Sequence, residues 1–262
     1  MSGQLDGKIA IIYGAGGSLG GAVARTFARE GARVFLVGRS REPLDAVAGE
    51  IAAAGGQADV AVLDATDERA VQAQLREVVD QAGRVDVSFN LISRGDVQGV
   101  PLVQLSADDL LRAVVTGLRS SFVTARAAAR QMAEQGSGVI LHLNSASGAG
   151  AMPGMGSTGP ADAATEAFMR YLAAEVGPQG IRVCGIWTAG VAESLTDEKL
   201  AAVAGENAPT AAAAVEAIGA MAALRRAPRL ENVAEVAAFL ASDRAAGITG
   251  SMTNVTSGLV LR

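Results

Sequence analysis

Residues 11–34 read IIYGAGGSLGGAVARTFAREGARV: an apolar run, a glycine-rich turn, an amphipathic stretch and the start of a second apolar run. Glycines between a strand and a helix let the backbone come close to a phosphate, which then meets the free N–H groups and positive end of the helix. The common GxGxxG spacing fails from Gly14, because its sixth position is Leu19. The spacing that fits is Gly14-xxx-Ser18-x-Gly20. Alone, such a turn serves helix packing as well as it serves phosphate; between two strands and ahead of a helix it points to a nucleotide.

Outward from this unit the alternation repeats. KIAIIY (8–13), RVFLVG (33–38), ADVAVLD (58–64), VDVSFNLI (85–92), GVILHLN (138–144) and IRVCGIW (181–187) read as strands. Their nearly unbroken apolar character is that of a parallel sheet covered on both faces. Helical patterns fill 19–30, 42–54, 67–82, 107–134, 161–176 and 232–241, with capping signals at Ser106/Asp109 and Asn232/Glu235. The predicted fold is α/β, a doubly wound parallel sheet, and no shift in composition divides residues 1–262 into more than one domain. Residues 190–228 are weakly patterned, with an alanine run at 211–214, and are expected to form a pair of mobile helices over the site, a substrate lid.

Half of the residues are hydrophobic but only 3% are aromatic, so the core must be built from Ala, Val, Leu and Ile. A net charge of −5 argues against a nucleic-acid partner, and no basic run offers itself to anionic lipid. The longest charge-free stretch, 135–161, is broken by Gly, Ser, Asn and Pro and does not read as a membrane helix. The opening MSGQLDGKIAII does not read as a charged-then-apolar leader, so no secretory signal is expected. One cysteine (Cys184) and one histidine (His142) leave neither an internal disulfide nor a Cys/His metal cage. A cytoplasmic protein acting on a small molecule, with no metal, is expected.

The second strand ends at Val37-Gly38-Arg39-Ser40-Arg41. An acidic residue there would bind a ribose 2′-hydroxyl; an arginine accommodates a 2′-phosphate. Arg39 offers a planar fork of donors and Ser40 a hydroxyl, which favours NADP(H), with NAD(H) as the alternative.

These features together resemble the short-chain dehydrogenase/reductase superfamily over nearly the whole chain. Gly14-xxx-Ser18-x-Gly20 stands where that family has TGxxxGxG, with Leu19 inside the loop. LDATD (63–67) resembles its adenine-contacting segment and implies that role for Asp64 and Ala65. DVSFNLIS (86–93) stands for DVLVNNAG and keeps Asn90. AAEVGPQGIRVCGIWTAG (173–190) and EVAAFLASDRAAGITGSMTNVTSG (235–258) are similar to its closing segments. The resemblance implies a seven-stranded Rossmann fold, a nicotinamide cofactor and a homodimer or homotetramer. The subunit contact would use helices 107–134 and 161–176, the latter through Ala163, Ala164, Ala167, Ala173 and Ala174.

The family's chemistry uses Ser, Tyr and Lys, assisted by an Asn. In HLNSASGAG, Ser145 matches the serine. The family's interval then leads to Thr158 and, one helical turn on, to Asp162; the assisting Asn falls near Gly117. The chain has two tyrosines, Tyr13 and Tyr171, and two lysines, Lys8 and Lys199, and nowhere a YxxxK. A threonine hydroxyl is far less acidic than a phenol, and a carboxylate beside it makes it less so. The structural reading of this segment is a helix that begins at Pro160, with Asp162 in its first turn on the helix dipole. His142 reads as a buried, hydrogen-bonded core residue rather than a base, Cys184 as packing and Lys199 as solvent-exposed. Arg94 and Asp96, at the sheet's carboxyl edge, read equally as substrate-facing or solvated. Three functions stay open: an oxidoreductase with altered proton chemistry, a nucleotide-binding sensor or partner subunit without turnover, and a non-redox cyclase or dehydratase on the same fold.

Overall fold

The computed structural model describes residues 3–204 and 208–261, the side chains of 202–204 apart. Seven strands form one parallel sheet: β1 (Ile9–Tyr13), β2 (Arg33–Gly38), β3 (Gln57–Val62), β4 (Val87–Asn90), β5 (Gly138–Ser145), β6 (Ile181–Thr188) and β7 (Met252–Val255). Their order is β3-β2-β1-β4-β5-β6-β7, with Tyr13 opposite Asn90, Asn90 opposite His142 and His142 opposite Gly185. The order reverses between β1 and β4. There the connections leave in opposite directions, and a crevice opens at the carboxyl ends of the strands.

Eight α-helices lie among the described residues: α1 (Ser18–Arg29), α2 (Arg41–Ala53), α3 (Glu68–Ala82), α4 (Ala107–Gln135), α5 (Thr158–Val176), α6 (Asp197–Ala204), α7 (Ala211–Met221) and α8 (Leu230–Ala241). On one face of the sheet, Val23, Ala24 and Phe27 of α1 and Val233, Ala237 and Leu240 of α8 pack on Ile12, Leu36 and Leu141. On the other face, Val71 and Val78 of α3, Ala125 and Met132 of α4, and Met169 of α5 cover Ile11, Phe35 and Ile140. The expected α/β architecture is present, and the low aromatic content is met by alanine-rich helices packed close to the strands.

Two helix starts differ from the sequence reading by more than one residue. α5 begins at Thr158, with Ser157 before it, so Pro160 is the third helical residue and Asp162 lies past the first turn. Proline is tolerated there because the first N–H groups of a helix have no partner inside it. The start is set from outside: Ser157 N–H donates to Val97 O at 3.1 Å, and Ser157 Oγ accepts from Val97 N–H at 3.0 Å. α8 begins at Leu230, so Asn232 is not its N-cap; its side chain reaches back to accept Arg229 N–H at 3.0 Å. The Ser106 cap is as expected, accepting from Asp109 N–H at 3.1 Å. In 190–228 the described residues include two α-helices, α6 and α7, while residues 205–207 of that stretch lie outside the described residues. No helix among the described residues is long and apolar enough to cross a membrane.

Candidate active site

The phosphate loop joins β1 to α1. Gly17 is the N-cap of α1 and brings no side-chain cap, so the first N–H groups of the helix face the crevice. A Cβ on Gly20 would stand 2.1 Å from Gly14 O, so the turn closes only with glycine at that position. Gly14, Ser18, Leu19 and Gly20 all line a cavity of about 320 Å³ that continues past Asn90 to Ser145. An adjoining cavity of about 470 Å³ is lined by Arg39, Ser40, Asp64 and Ala65. Arg39 is exposed and pairs with no carboxylate among the described residues. The Asp64 carboxylate accepts Thr66 N–H and Thr66 Oγ1–H, both at 2.8 Å, and these bonds hold its pKa below the usual carboxylate value. Asn90 is buried as a latch: its amide donates to Ser120 Oγ at 3.3 Å and Thr124 Oγ1 at 3.4 Å, and its Oδ1 accepts Ile92 N–H.

At the other end of the first cavity the structure brings Ser145 and Asp162 together. Ser145 Oγ donates to Asp162 Oδ2 at 2.5 Å and accepts Ser147 N–H. Asp162 Oδ1 lies 2.7 Å from Arg94 Nη1, and Arg94 turns its other edge to Asp96, with Nη2 3.1 Å from Oδ1. The Asp162 side chain is fully buried. Burial pushes its pKa up to about 6, with the Arg94 charge and the two hydrogen bonds pulling the other way. Ser145 and Arg94 stand in the cavity wall; Asp162 is sealed behind them. Thr158 is not in that wall. Its buried hydroxyl accepts the Gln98 amide at 3.0 Å.

A family model described as enoyl-(acyl carrier protein) reductase matches residues 14–260. A 3-oxoacyl-(acyl-carrier-protein) reductase, FabG, of Thermotoga maritima is 30% identical over 258 residues, spanning 98% of this chain and all of its own. The chain belongs to the short-chain dehydrogenase/reductase superfamily. Among solved structures, NAD+-bound xylitol dehydrogenase superimposes with a TM-score of 0.87 at 26% identity, covering 97% of this chain and 99% of that one. A 7α-hydroxysteroid dehydrogenase in complex with NADH and 7-oxo glycochenodeoxycholic acid does so with 0.81 at 28% identity, covering 97% and 94%.

Within this short-chain dehydrogenase/reductase fold, Arg94 and Asp96 are neither free in solvent nor detached from the site. The cues were separated in sequence: Arg94-Gly95-Asp96 after β4, a glycine at 117 and an acid at 162. Each is bland alone, and only the crossing of α4 and α5 over the strand ends joins them. Asp162 is held by Arg94 and Ser145, and the first turn of α5 carries no acidic residue. Lys199 is exposed, as read from sequence, yet its Nζ reaches Ser18 Oγ at 3.4 Å. Cys184 is buried and its thiol donates to Ile248 O.

Proposed function

We propose that the protein binds NADP(H) and interconverts a small carbonyl compound and its alcohol, with the proton handled by Ser145 and Asp162. The glycine turn that a Cβ at residue 20 would fill, the open end of α1 and the unpaired Arg39 fit a dinucleotide. Gly14, Ser18, Leu19 and Gly20 would hold its diphosphate, Arg39 and Ser40 its 2′-phosphate, and Asp64 and Ala65 its adenine. When bound, the nicotinamide accepts or supplies the hydride. Asn90 and the Ser145 end of the cavity would border its ring.

The observation that carries this reading is the Ser145 hydroxyl, in the cavity wall and 2.5 Å from a sealed carboxyl group. During reduction, Ser145 Oγ–H passes its proton to the developing alkoxide and takes the one held by Asp162. Oxidation runs the same relay backwards, with the Asp162 carboxylate receiving the proton. A group whose pKa lies near 6 can do both within the ordinary pH range. Thr158 serves this couple by its bond to Gln98, which fixes the start of α5. Helices α6 and α7 act as the substrate lid, and the outer faces of α4 and α5 join subunits into a dimer or tetramer.

Fluorescence titration with NADPH and NADH, followed by a carbonyl panel monitored by NADPH absorbance, tests the proposal. NADPH should bind the tighter. Ser145→Ala and Asp162→Asn should each lower kcat about 10²–10⁴-fold, with nucleotide affinity little changed. Absence of nucleotide binding, or a Ser145→Ala variant as fast as the parent, overturns the proposal. Because both Asp162 oxygens are already satisfied inside the protein, a second reading also has support: a nucleotide-binding subunit without turnover. Tight NADPH binding with no consumption on any carbonyl selects it.

A further inference from the structure

Gly117 of α4 is buried against the same cavity. A Cβ placed on it would stand 2.5 Å from Arg94 Cδ and 3.3 Å from Arg94 Cγ. The Arg94 side chain therefore crosses α4 at a point where only glycine leaves room. Beyond that crossing its guanidinium spans two carboxylates, with Nη1 2.7 Å from Asp162 Oδ1 and Nε 3.3 Å from Asp96 Oδ2. The planar fork suits this double contact, and an ammonium on a flexible stem suits it less.

We infer that Arg94 is the positioning cation of this site and that Gly117 is the clearance that admits it. Arg94 turns Asp162 so that its free oxygen meets Ser145, and it keeps that carboxyl ionisable in a setting that would otherwise hold it as the neutral acid. The inference rests on the Ser145–Asp162 couple proposed above. The other groups around the couple leave this task to Arg94. The β4–α4 loop adds only Asp96, an acid. β5 adds Ser145 and His142, and burial holds the histidine's pKa down at about 4, so it is neutral. On α5, the Glu166 carboxylate accepts Trp187 Nε1–H at 2.7 Å. α4 presents Gly117, Ser120 and Ser121, without charge, and Lys199 of α6 is committed to Ser18 Oγ and Ser194 O.

The test is the titration of the Asp162 carboxyl by ¹³C NMR, assigned by difference from Asp162→Asn, in the parent, Arg94→Met, Arg94→Lys and Gly117→Ala. Alongside it run the pH profile of carbonyl reduction and the NADPH dissociation constant. Arg94→Met should move the Asp162 midpoint up by about one unit or more and carry the fall of carbonyl reduction to correspondingly higher pH. It should lower kcat about 100-fold at pH values where Asp162 is protonated in both proteins, with KM and NADPH affinity little changed. Arg94→Lys should restore most of both, and Gly117→Ala should shift the midpoint in the same direction as Arg94→Met by displacing the guanidinium. A midpoint in Arg94→Met equal to the parent's overturns the inference. Should Arg94→Met fail to fold, an unmoved midpoint in Gly117→Ala overturns it equally. A parent that binds NADPH but reduces nothing removes the oxidoreductase reading, and the NMR midpoints still decide on Arg94.

Discussion

His142 stands at the floor of the cavity with 2% of its surface exposed, and its Nε2 has no hydrogen-bond partner among the described residues. Burial lowers its pKa from 6.5 to about 4. The unfolded chain therefore takes up a proton that the folded chain refuses. The stability carried by the neutral ring is complete above pH 6.5 and drains away as pH falls towards 4, by up to about 3 kcal/mol. Asp162 opposes this: its folded pKa is raised, so the folded state gains protons first and gains stability as pH falls from about 6 to 4. A double difference separates them. His142→Phe, which keeps an aromatic ring against Phe168, should gain on the parent in urea midpoint between pH 7 and pH 4.5; parallel curves would refute the assignment. In the proposed relay the proton for reduction comes from Asp162, so reduction should fall above about pH 6 while alcohol oxidation should rise through the same range. At the adenosine end, Arg39→Asp should weaken NADPH about 10–100-fold and leave NADH nearly unchanged in a binding titration. Equal losses for both nucleotides would remove the 2′-phosphate assignment.

Six of the seven strands and most helices were legible because period and caps are local properties, whereas the short β7 (Met252–Val255) was not read from its own residues and was implied only by the family resemblance. The position of the glycine loop, Arg39, Ser40 and Asp64 along one sheet edge was legible because each follows closely on the carboxyl end of β1, β2 or β3, while their part in holding a nucleotide belongs to the proposed function. The start of α5 was not, since Pro160 is a strong local signal and the deciding contacts come from sixty residues away. Val97 and Ser157 exchange backbone and side-chain bonds, and Gly99 N–H donates to Gly154 O at 2.7 Å, so the loops after β4 and β5 close on each other. Gly156 sits in this seam with φ +51°, and a Cβ there would come within 2.0 Å of Val97 O. Gly156→Ala should therefore cost about 1–3 kcal/mol in a denaturant titration. It should also loosen the Gln98–Thr158 bond and the seat of Asp162, visible as a fall in kcat larger than any change in NADPH affinity. A variant with the parent's stability would show that the seam yields. The Arg94–Asp162–Ser145 chain was illegible for the same reason at longer range, because its members come from three loops and helices joined only by the sheet.

At the scale of the molecule, the carboxyl edge of the sheet carries the candidate site, and the outer faces of α4 and α5 are exposed. Leu111 (54%), Val115 (55%), Phe122 (42%) and Tyr171 (74%) are exposed there, and a groove between the helices is lined by Phe122, Ala129, Ala133, Phe168, Tyr171 and Leu172. Phe122 meets Phe168 edge-on at 5.9 Å, with the Arg126 guanidinium 4.6 Å from the Phe122 ring. Of the alanines read as a contact stripe, Ala173 belongs to the core and Ala163 and Ala174 are exposed. The proposed subunit contact thus depends on the aromatic groove more than on small residues. In the proposed pairing each Tyr171 would meet apolar surface of its mate, and an interface of about 800 Å² per partner would be enough for a stable pair. Light scattering on the eluting protein should give a multiple of 26.4 kDa. Tyr171→Glu buries an unpaired charge at that contact and should shift the mass to a single chain. Nucleotide affinity should persist in this variant, because the cavity opens at the strand ends and not on the outer helix faces. A parent that elutes as one chain, or a Tyr171→Glu variant that keeps the parent's mass, would place the subunit contact elsewhere or nowhere.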